Sequence, residues 1–171
     1  MLKVKALLFD VFGTVVDWRT GIAKEVESIA DKNDISLDPF DFADAWRAEY
    51  QPAMEEIRKG RRSFTILDIL HMENLKKIAP KFNLHNISDE DFKLLVTAWH
   101  RLPGWPDSSE GINLLKKKYI LATQSNGNIA LIVNMAKFSN LNWDVILGAE
   151  VTGHYKPCLL YTSDAADESV G

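Results

Sequence analysis

The sequence predicts an α/β protein, with parallel strands and a bundle of helices inserted after the first of them. Three observations carry this reading. Lys3 to Phe9 is an apolar run that stops at Asp10, just before a turn signal at Gly13-Thr14, the pattern of a buried parallel strand. From Val15 to about His100 the apolar residues recur at helical spacing with no strand between them. After Arg101, helix and strand alternate again. The implied sheet is Rossmann-like, and such sheets place their chemistry beyond the carboxyl ends of the strands.

The elements follow in order. Ile22, Val26, Ile29 and Ala30 fall on one face of a first helix. Asp38-Pro39 opens a second, a side-chain cap followed by proline at the first helical position. It carries Phe42, Trp46, Tyr50, Ala53, Met54 and Ile57 inward, with a kink at Pro52. A third helix presents Ile66, Leu67, Leu70, Leu75, Ile78 and Phe82, broken at Pro80. Ser88-Asp89-Glu90-Asp91 reads as a capping-box start for a fourth, with Phe92, Leu95, Val96 and Trp99 on its face. Four helices without strands make a small bundle. Asp107 with Glu110 then frames another helix start, and Tyr119 to Gln124 is a second buried strand ending at Ser125-Asn126-Gly127-Asn128. A helix through Ile129, Ile132, Val133, Met135 and Phe138 leads to a third strand around Val145-Ile146-Leu147, and then to Tyr155-Lys156-Pro157.

Composition narrows the function classes. With 171 residues the chain has room for one domain, or for a core with an inserted subdomain. A formal net charge of -4 argues against nucleic acid as the main partner. No apolar run is long enough to span a bilayer, and the apolar amino terminus reads as a core strand, not as a signal peptide. The single cysteine, Cys158, leaves no internal disulfide framework and fits a cytoplasmic location if it belongs to the native chain. His71, His85, His100 and His154 lack metal-ligand spacing, so no metal site is expected.

Chemistry concentrates at the predicted strand ends. A strand-end carboxylate such as Asp10 is costly to desolvate unless hydrogen bonds or cations meet it. Gly13 permits a sharp turn, and Thr14 returns a hydroxyl toward the same crevice. The plainer alternative is an aspartate that caps the next segment. Ser125, Asn126 and the backbone at the following helix start could form an anion site, or Ser125 could simply be an N-cap. Lys156 could pair with Asp10 or lie free in a loop. Arg47 could face solvent or pack its stem on a neighbouring helix. Arg58-Lys59-Gly60-Arg61-Arg62 reads as a solvated loop between helices.

The phrase Phe9-Asp10-Val11-Phe12-Gly13-Thr14-Val15-Val16-Asp17-Trp18 resembles the nucleophile motif of the haloacid dehalogenase-like superfamily, and more closely that of the (S)-2-haloacid dehalogenases of type II. Phosphatases of that superfamily carry a second aspartate two positions after the nucleophile, where this chain has Phe12. Ser125-Asn126-Gly127 is similar to the second motif and Lys156 to the third. The resemblance implies a core at 1-14 and 101-157, an inserted four-helix cap at 15-100, and an arginine on that cap, here Arg47, lowered over the site. It implies roles for Asp10, Thr14, Arg47, Ser125, Asn126 and Lys156 in catalysis. Val11, Phe12, Trp46, Tyr50 and Phe64 are expected around the substrate, although core packing also suits Trp46, Tyr50 and Phe64.

The reaction this implies is hydrolytic dehalogenation of short 2-haloalkanoic acids to 2-hydroxy acids, through an ester on Asp10 and with no cofactor. It leaves room for a homodimer. Two rivals are a magnesium-dependent phosphatase of the same superfamily and a non-enzymatic phospho-acceptor or interaction domain. Phe12 speaks against the first, since it cannot protonate a leaving alcohol, and a bulky cap over the acceptor speaks against the second. The resemblance covers Lys3 to Pro157. Residues 158-171 resemble a translated sequencing adapter and are expected to be a non-native tail. On that expectation the core is incomplete, the first strand lies at an exposed sheet edge, and the motif that activates water for ester hydrolysis is missing.

Overall fold

A computed structural model describes residues 4-157; the expected tail and Cys158 lie outside them. The architecture is mixed α/β, mostly helical, with a small parallel sheet. Strand β1 (Ala6–Phe9) pairs in parallel with β2 (Ile120–Thr123), in the register Ala6 to Ile120 through Phe9 to Thr123. No helix among the described residues is long and apolar enough to cross a membrane.

Two details of the sheet depart from expectation. β2 is the buried strand, with Leu121, Ala122 and Thr123 inside, whereas β1 exposes Ala6 and Leu8 and only half-buries Leu7 and Phe9. Among the described residues β1 is paired on one side alone, so it forms the sheet edge, as expected. The expected third strand runs alongside β2 but makes only isolated parallel bridges, at Ala122 with Val145 and at Ser125 with Gly148. Backbone bonds join the two, Thr123 N to the Val145 carbonyl at 3.1 Å and Ser125 N to that of Leu147 at 3.3 Å, but side chains take other ladder positions. The Thr123 hydroxyl accepts from Leu147 N and donates to its carbonyl, both at 2.9 Å, and Asp144 Oδ2 accepts from Leu121 N.

Five α-helices, not four, lie within residues 15-100. Helix α1 (Trp18–Lys32) starts with Asp17 accepting from Thr20 N and buries Ile22, Val26, Ile29 and Ala30 as its spacing requires. Asp38 caps α2 (Pro39–Ala48) in the expected way. The predicted kink at Pro52 is instead a break at Glu49, after which α3 (Tyr50–Arg58) begins. Pro52 has no N–H for the Ala48 carbonyl and its ring crowds that group, so the helix ends one turn before the proline. Helix α4 (Leu67–Ile78) likewise stops ahead of Pro80 and tightens into a 3₁₀ turn, Ala79–Phe82. Ser88 caps α5 (Asp89–Val96), which continues as a 3₁₀ stretch, Thr97–Arg101, and not as one long helix. The capping box is half formed. Asp91 N donates to Ser88, while the Asp91 carboxylate holds Lys32 Nζ at 2.7 Å and Asn33 Nδ2 at 3.2 Å.

The chain then returns beside its own exit. Asp17 N donates to the Pro103 carbonyl at 2.8 Å and Trp105 N to that of Val15 at 3.0 Å. Helix α6 (Ser108–Lys116) follows, with Ser108 donating to the Val15 carbonyl and Asp107 making no side-chain cap among the described residues. Helix α7 (Ile129–Phe138) and the short α8 (Ala149–Thr152) complete the order. One apolar cluster runs through both halves, from Leu121, Ile132 and Met135 to Ile22, Phe42 and Leu70, with Trp46 and Trp99 buried near its middle.

Candidate active site

Three chain segments meet at the carboxyl ends of β1 and β2. The first leaves β1 at Asp10 and turns at Gly13, whose φ of +87° is the region glycine tolerates at little cost. This turn brings Thr14 Oγ1 within 3.2 Å of Asp10 Oδ2. The second leaves β2, anchored by Gln124 N on the Phe9 carbonyl at 2.7 Å, and runs through Ser125, Asn126 and Gly127. The third carries Lys156, whose Nζ lies 2.6 Å from Asp10 Oδ1 and 2.7 Å from the Gln124 carbonyl. Lys156 N donates to Asn126 Oδ1 at 2.7 Å, which ties the third segment to the second.

The expected partners of Asp10 are therefore brought together, but the carboxylate is not buried. Its side chain is 46% exposed and that of Lys156 28%. Little desolvation has to be offset, and the pair serves geometry more than stability.

A cavity of about 420 Å³ opens over this point. Asp10, Asn126 and Lys156 form its floor, Phe12 one side, and Arg47, Tyr50, Gln51 and Arg58 come from the inserted helices. Arg47 lies flat on Tyr50, its Cζ 3.9 Å from the ring centroid, and 5.5 Å from that of Trp18. Arg47 Nη1 is buried and has no hydrogen-bond partner among the described residues. Leaving a buried donor unmet costs about 1–3 kcal/mol, more when it is charged, so this position favours an anion or a polar ligand atom. Burial pushes the Tyr50 phenol up, more than the neighbouring Arg47 charge and Asn126 amide draw it down, so it stays a neutral donor.

Other expected residues are placed elsewhere. Ser125 is fully buried, its hydroxyl accepting from Gly127 N at 3.1 Å, and it is not the N-cap of α7. Val11 is inside the core, where its carbonyl receives Val15 N and Val16 N. Trp46 is also core: its indole N–H is spent on the His71 carbonyl at 3.1 Å, which turns the ring away from the cavity. Phe64 packs on Tyr155, with ring centroids 5.4 Å apart. Tyr50 and Phe12 do line the cavity.

Sequence reasoning passed over Arg58, grouping it with a solvated loop. Its neighbours fit that reading, since Lys59, Arg61 and Arg62 pair at the surface with Glu55, Glu56 and Glu73. Arg58 itself turns inward, donating to the Lys156 carbonyl at 2.7 Å and to Gln51 at 2.9 Å. Its partner is 98 residues away in the chain, a contact with no local signal. Asp68 and Asn128 were missed as well. Asn128 Nδ2 donates to Asp68 Oδ2 at 2.8 Å, and His100 Nε2 lies 3.0 Å from Asp68 Oδ1. Burial works against the Asp68 charge, yet the hydrogen bonds from His100 and Asn128 hold its carboxyl below the usual carboxylate range.

No family model and no curated protein matches the chain. Solved structures do. The defluorinating L-2-haloacid dehalogenase Rha0230 is 44% identical, with a TM-score of 0.89 over 96% of this chain and 69% of its own. The L-2-haloacid dehalogenase PA0810 is 37% identical, with a TM-score of 0.88 over 96% of this chain and 72% of its own. The fold also matches an L-2-haloacid dehalogenase from Xanthobacter autotrophicus solved with chloropropionic acid covalently bound, at 16% identity and a TM-score of 0.79 over 98% of this chain and 65% of that one. With two relatives above 35% identity along nearly its whole length, and spanning about 70% of each, the chain belongs to the L-2-haloacid dehalogenases of the haloacid dehalogenase-like superfamily.

Proposed function

We propose that this site displaces halide from short (S)-2-haloalkanoic acids and releases the corresponding 2-hydroxy acids. The observation that carries the reading is the pairing of two features across one cavity. On its floor Asp10 is oriented by Lys156 and Thr14; on its wall Arg47 presents a buried nitrogen with no partner among the described residues. In this reading residues 1-14 and 101-157 are the core and 15-100 the cap that brings Arg47 over it.

An oxygen of Asp10 attacks the carbon bearing the halogen. The carbon–halogen bond breaks as the carbon–oxygen bond forms, inverting the centre and leaving an ester on the enzyme. Lys156 and Thr14 hold the carboxylate at the end of β1 and leave the aspartate side chain about half open to substrate. Arg47 and Asn126 stabilise the departing halide, where the tyrosine face beneath Arg47 limits the water around it. Water attack on the ester carbonyl then frees the hydroxy acid. A halide leaves without a proton, so Phe12 suffices where a phosphatase needs an acid. Thr14 and Ser125 are the residues assigned to the substrate carboxylate. The Ser125 hydroxyl accepts from Gly127 N, which leaves its O–H to donate toward that carboxylate.

The test is to incubate the chain with (S)-2-chloropropionate and measure chloride, lactate and the mass of the Asp10 peptide. Phosphate release from a phosphate monoester is followed in parallel. The expected result is release of chloride and lactate, with a carboxyethyl group on Asp10 as the intermediate, all absent from the Asp10→Asn variant. Fluoroacetate belongs in the panel because the 44% identical relative is described as defluorinating. Phosphate release without halide release, or an adduct that survives Asp10→Asn, would overturn the proposal.

A further inference from the structure

Helix α4 starts without a cap of its own, because Ile66 offers no side-chain acceptor. Its Asp68 N–H is met from outside, by Asn128 Oδ1 at 3.3 Å. The other end of the same amide donates to Asp68 Oδ2 at 2.8 Å, so the two residues bond reciprocally. Asn128 occupies the N-cap position of α7 and makes no side-chain bond to that helix; Glu150 supplies the missing acceptor, taking Ile129 N at 2.8 Å. A residue placed to cap its own helix has been diverted to cap another, one that carries no floor residue of the site. His100 completes the junction, its Nε2 3.0 Å from Asp68 Oδ1 and its Nδ1 3.0 Å from Asn134 on α7.

The location gives this junction a use. Asn128 is two residues beyond Asn126, which accepts from Lys156 N and lines the cavity. Helix α4 packs against both α2, which carries Arg47, and α3, which carries Arg58. Asn128 is 3% exposed and the His100 side chain 13%, so the bonds are largely sheltered from competing water. We infer that Asp68 and Asn128 are positioning residues for dehalogenation, a reciprocal tie that fixes the height of the Arg47-bearing helix above the Asn126 loop. The inference rests on the function proposed above. Neither residue touches substrate; they set how closely Arg47 and Asn126 converge on a departing halide.

The experiment compares the whole chain with Asp68→Ala, Asn128→Ala and the double variant, each confirmed folded by near-ultraviolet circular dichroism. The rate of Asp10 alkylation by (S)-2-chloropropionate is measured against concentration. Misplacement of the cap-side groups should lower the rate at saturation roughly 10- to 100-fold with little change in the half-saturating concentration. The double variant should be no slower than either single one, since both remove the same tie. Amide hydrogen exchange is read on peptides spanning 64-72 and 125-132, and both should exchange faster in either single variant. Folded variants that alkylate at the wild-type rate would overturn the inference. So would exchange that quickens in only one segment. If wild-type chain is not alkylated at all, the proposed function fails, and the exchange experiment still decides whether Asp68 and Asn128 form the tie.

Discussion

Lowering the pH from about 7.5 to about 5 should cost this protein roughly 2 kcal/mol of stability through one residue, His71. The His71 ring is 1% exposed and stacked on Trp99 at 4.3 Å, with Trp46 and Tyr50 also against it. Neither ring nitrogen has a hydrogen-bond partner among the described residues. Burial is the main cause that lowers its pKa, from 6.5 to about 3, with Arg47 and His100 acting the same way and Asp68 opposing. Between those two values the unfolded chain binds a proton that the folded chain does not, so stability falls as pH falls through this window. Each pH unit below 6.5 removes about 1.4 kcal/mol, or about 2 kcal/mol by pH 5. For a chain of this size that corresponds to a loss of roughly 4–8 °C in melting temperature. Carboxylates held below their usual range, such as Asp44 and Glu55 with ordinary values of 3.8 and 4.5, also lose stability as pH falls, but mainly below pH 5 and equally in every variant. The assay is thermal or denaturant unfolding at both pH values, for wild type and His71→Phe, with His71→Leu as a second apolar replacement. Phenylalanine keeps the stacking on Trp99 and removes both unmet nitrogens, so it should hold its stability at pH 5. The reasoning is refuted if wild type and both variants lose the same stability between the two pH values.

Two further outcomes follow from the geometry. A Cβ at Gly148 would sit 2.2 Å from the Gly127 carbonyl oxygen, a backbone atom that can yield only by moving the Ser125–Asn128 loop. Gly148→Ala should therefore cost about 1–3 kcal/mol in denaturant unfolding, and an unchanged midpoint would contradict the close approach. Arg47→Lys keeps the charge but loses the planar stacking on Tyr50 and the second nitrogen. It should slow halide displacement about 10²–10³-fold, as loss of a charge-stabilising donor does, and a rate near wild type would show that any cation suffices there.

How much was legible depended on where each residue finds its partner. Asp10, Gly13, Thr14 and the Ser125-Asn126-Gly127 turn sit at strand ends, where a local pattern fixes both the turn and the direction of the chain. Helix starts at Asp38 and Ser88 were legible for the same reason: the cap and the amide it meets are two or three residues apart. The break at Glu49 was misplaced because proline was read as kinking the helix at its own position, whereas its steric conflict falls on the carbonyl four residues earlier. The third strand is reduced to isolated bridges, and its apolar pattern says nothing of Thr123 and Asp144, whose side chains take Leu147 N and Leu121 N while Thr123 N and Ser125 N still reach the Val145 and Leu147 carbonyls. β1 was read from its apolar run as buried and, in an incomplete core, as a sheet edge; the edge is what the described residues show, with one neighbour paired to it. Arg58, Trp46 and Phe64 share another cause. Each has its fate decided by a residue 25 or more positions away, at Lys156, His71 or Tyr155.

In the proposed reaction, Lys156 accounts for how a half-open carboxylate could still be a precise nucleophile. An exposed ion pair contributes only about 0–1 kcal/mol, too little to hold Asp10 by charge alone. The pair does not act alone. The amine of Lys156 reaches Asp10 and Gln124, its N–H reaches Asn126, and its carbonyl receives Arg58. Each bond is modest, about 0.5–1.5 kcal/mol for a typical one, yet they run to β1, to the loop after β2 and to α3. A displacement that lengthens one of them strains the others, so the lysine cannot follow solvent fluctuations as a free surface chain would. Orientation is thus obtained from three directions without burying the aspartate, and its oxygens stay accessible to a substrate carbon. A buried aspartate would have to be uncovered before it could attack; this one only has to be aimed.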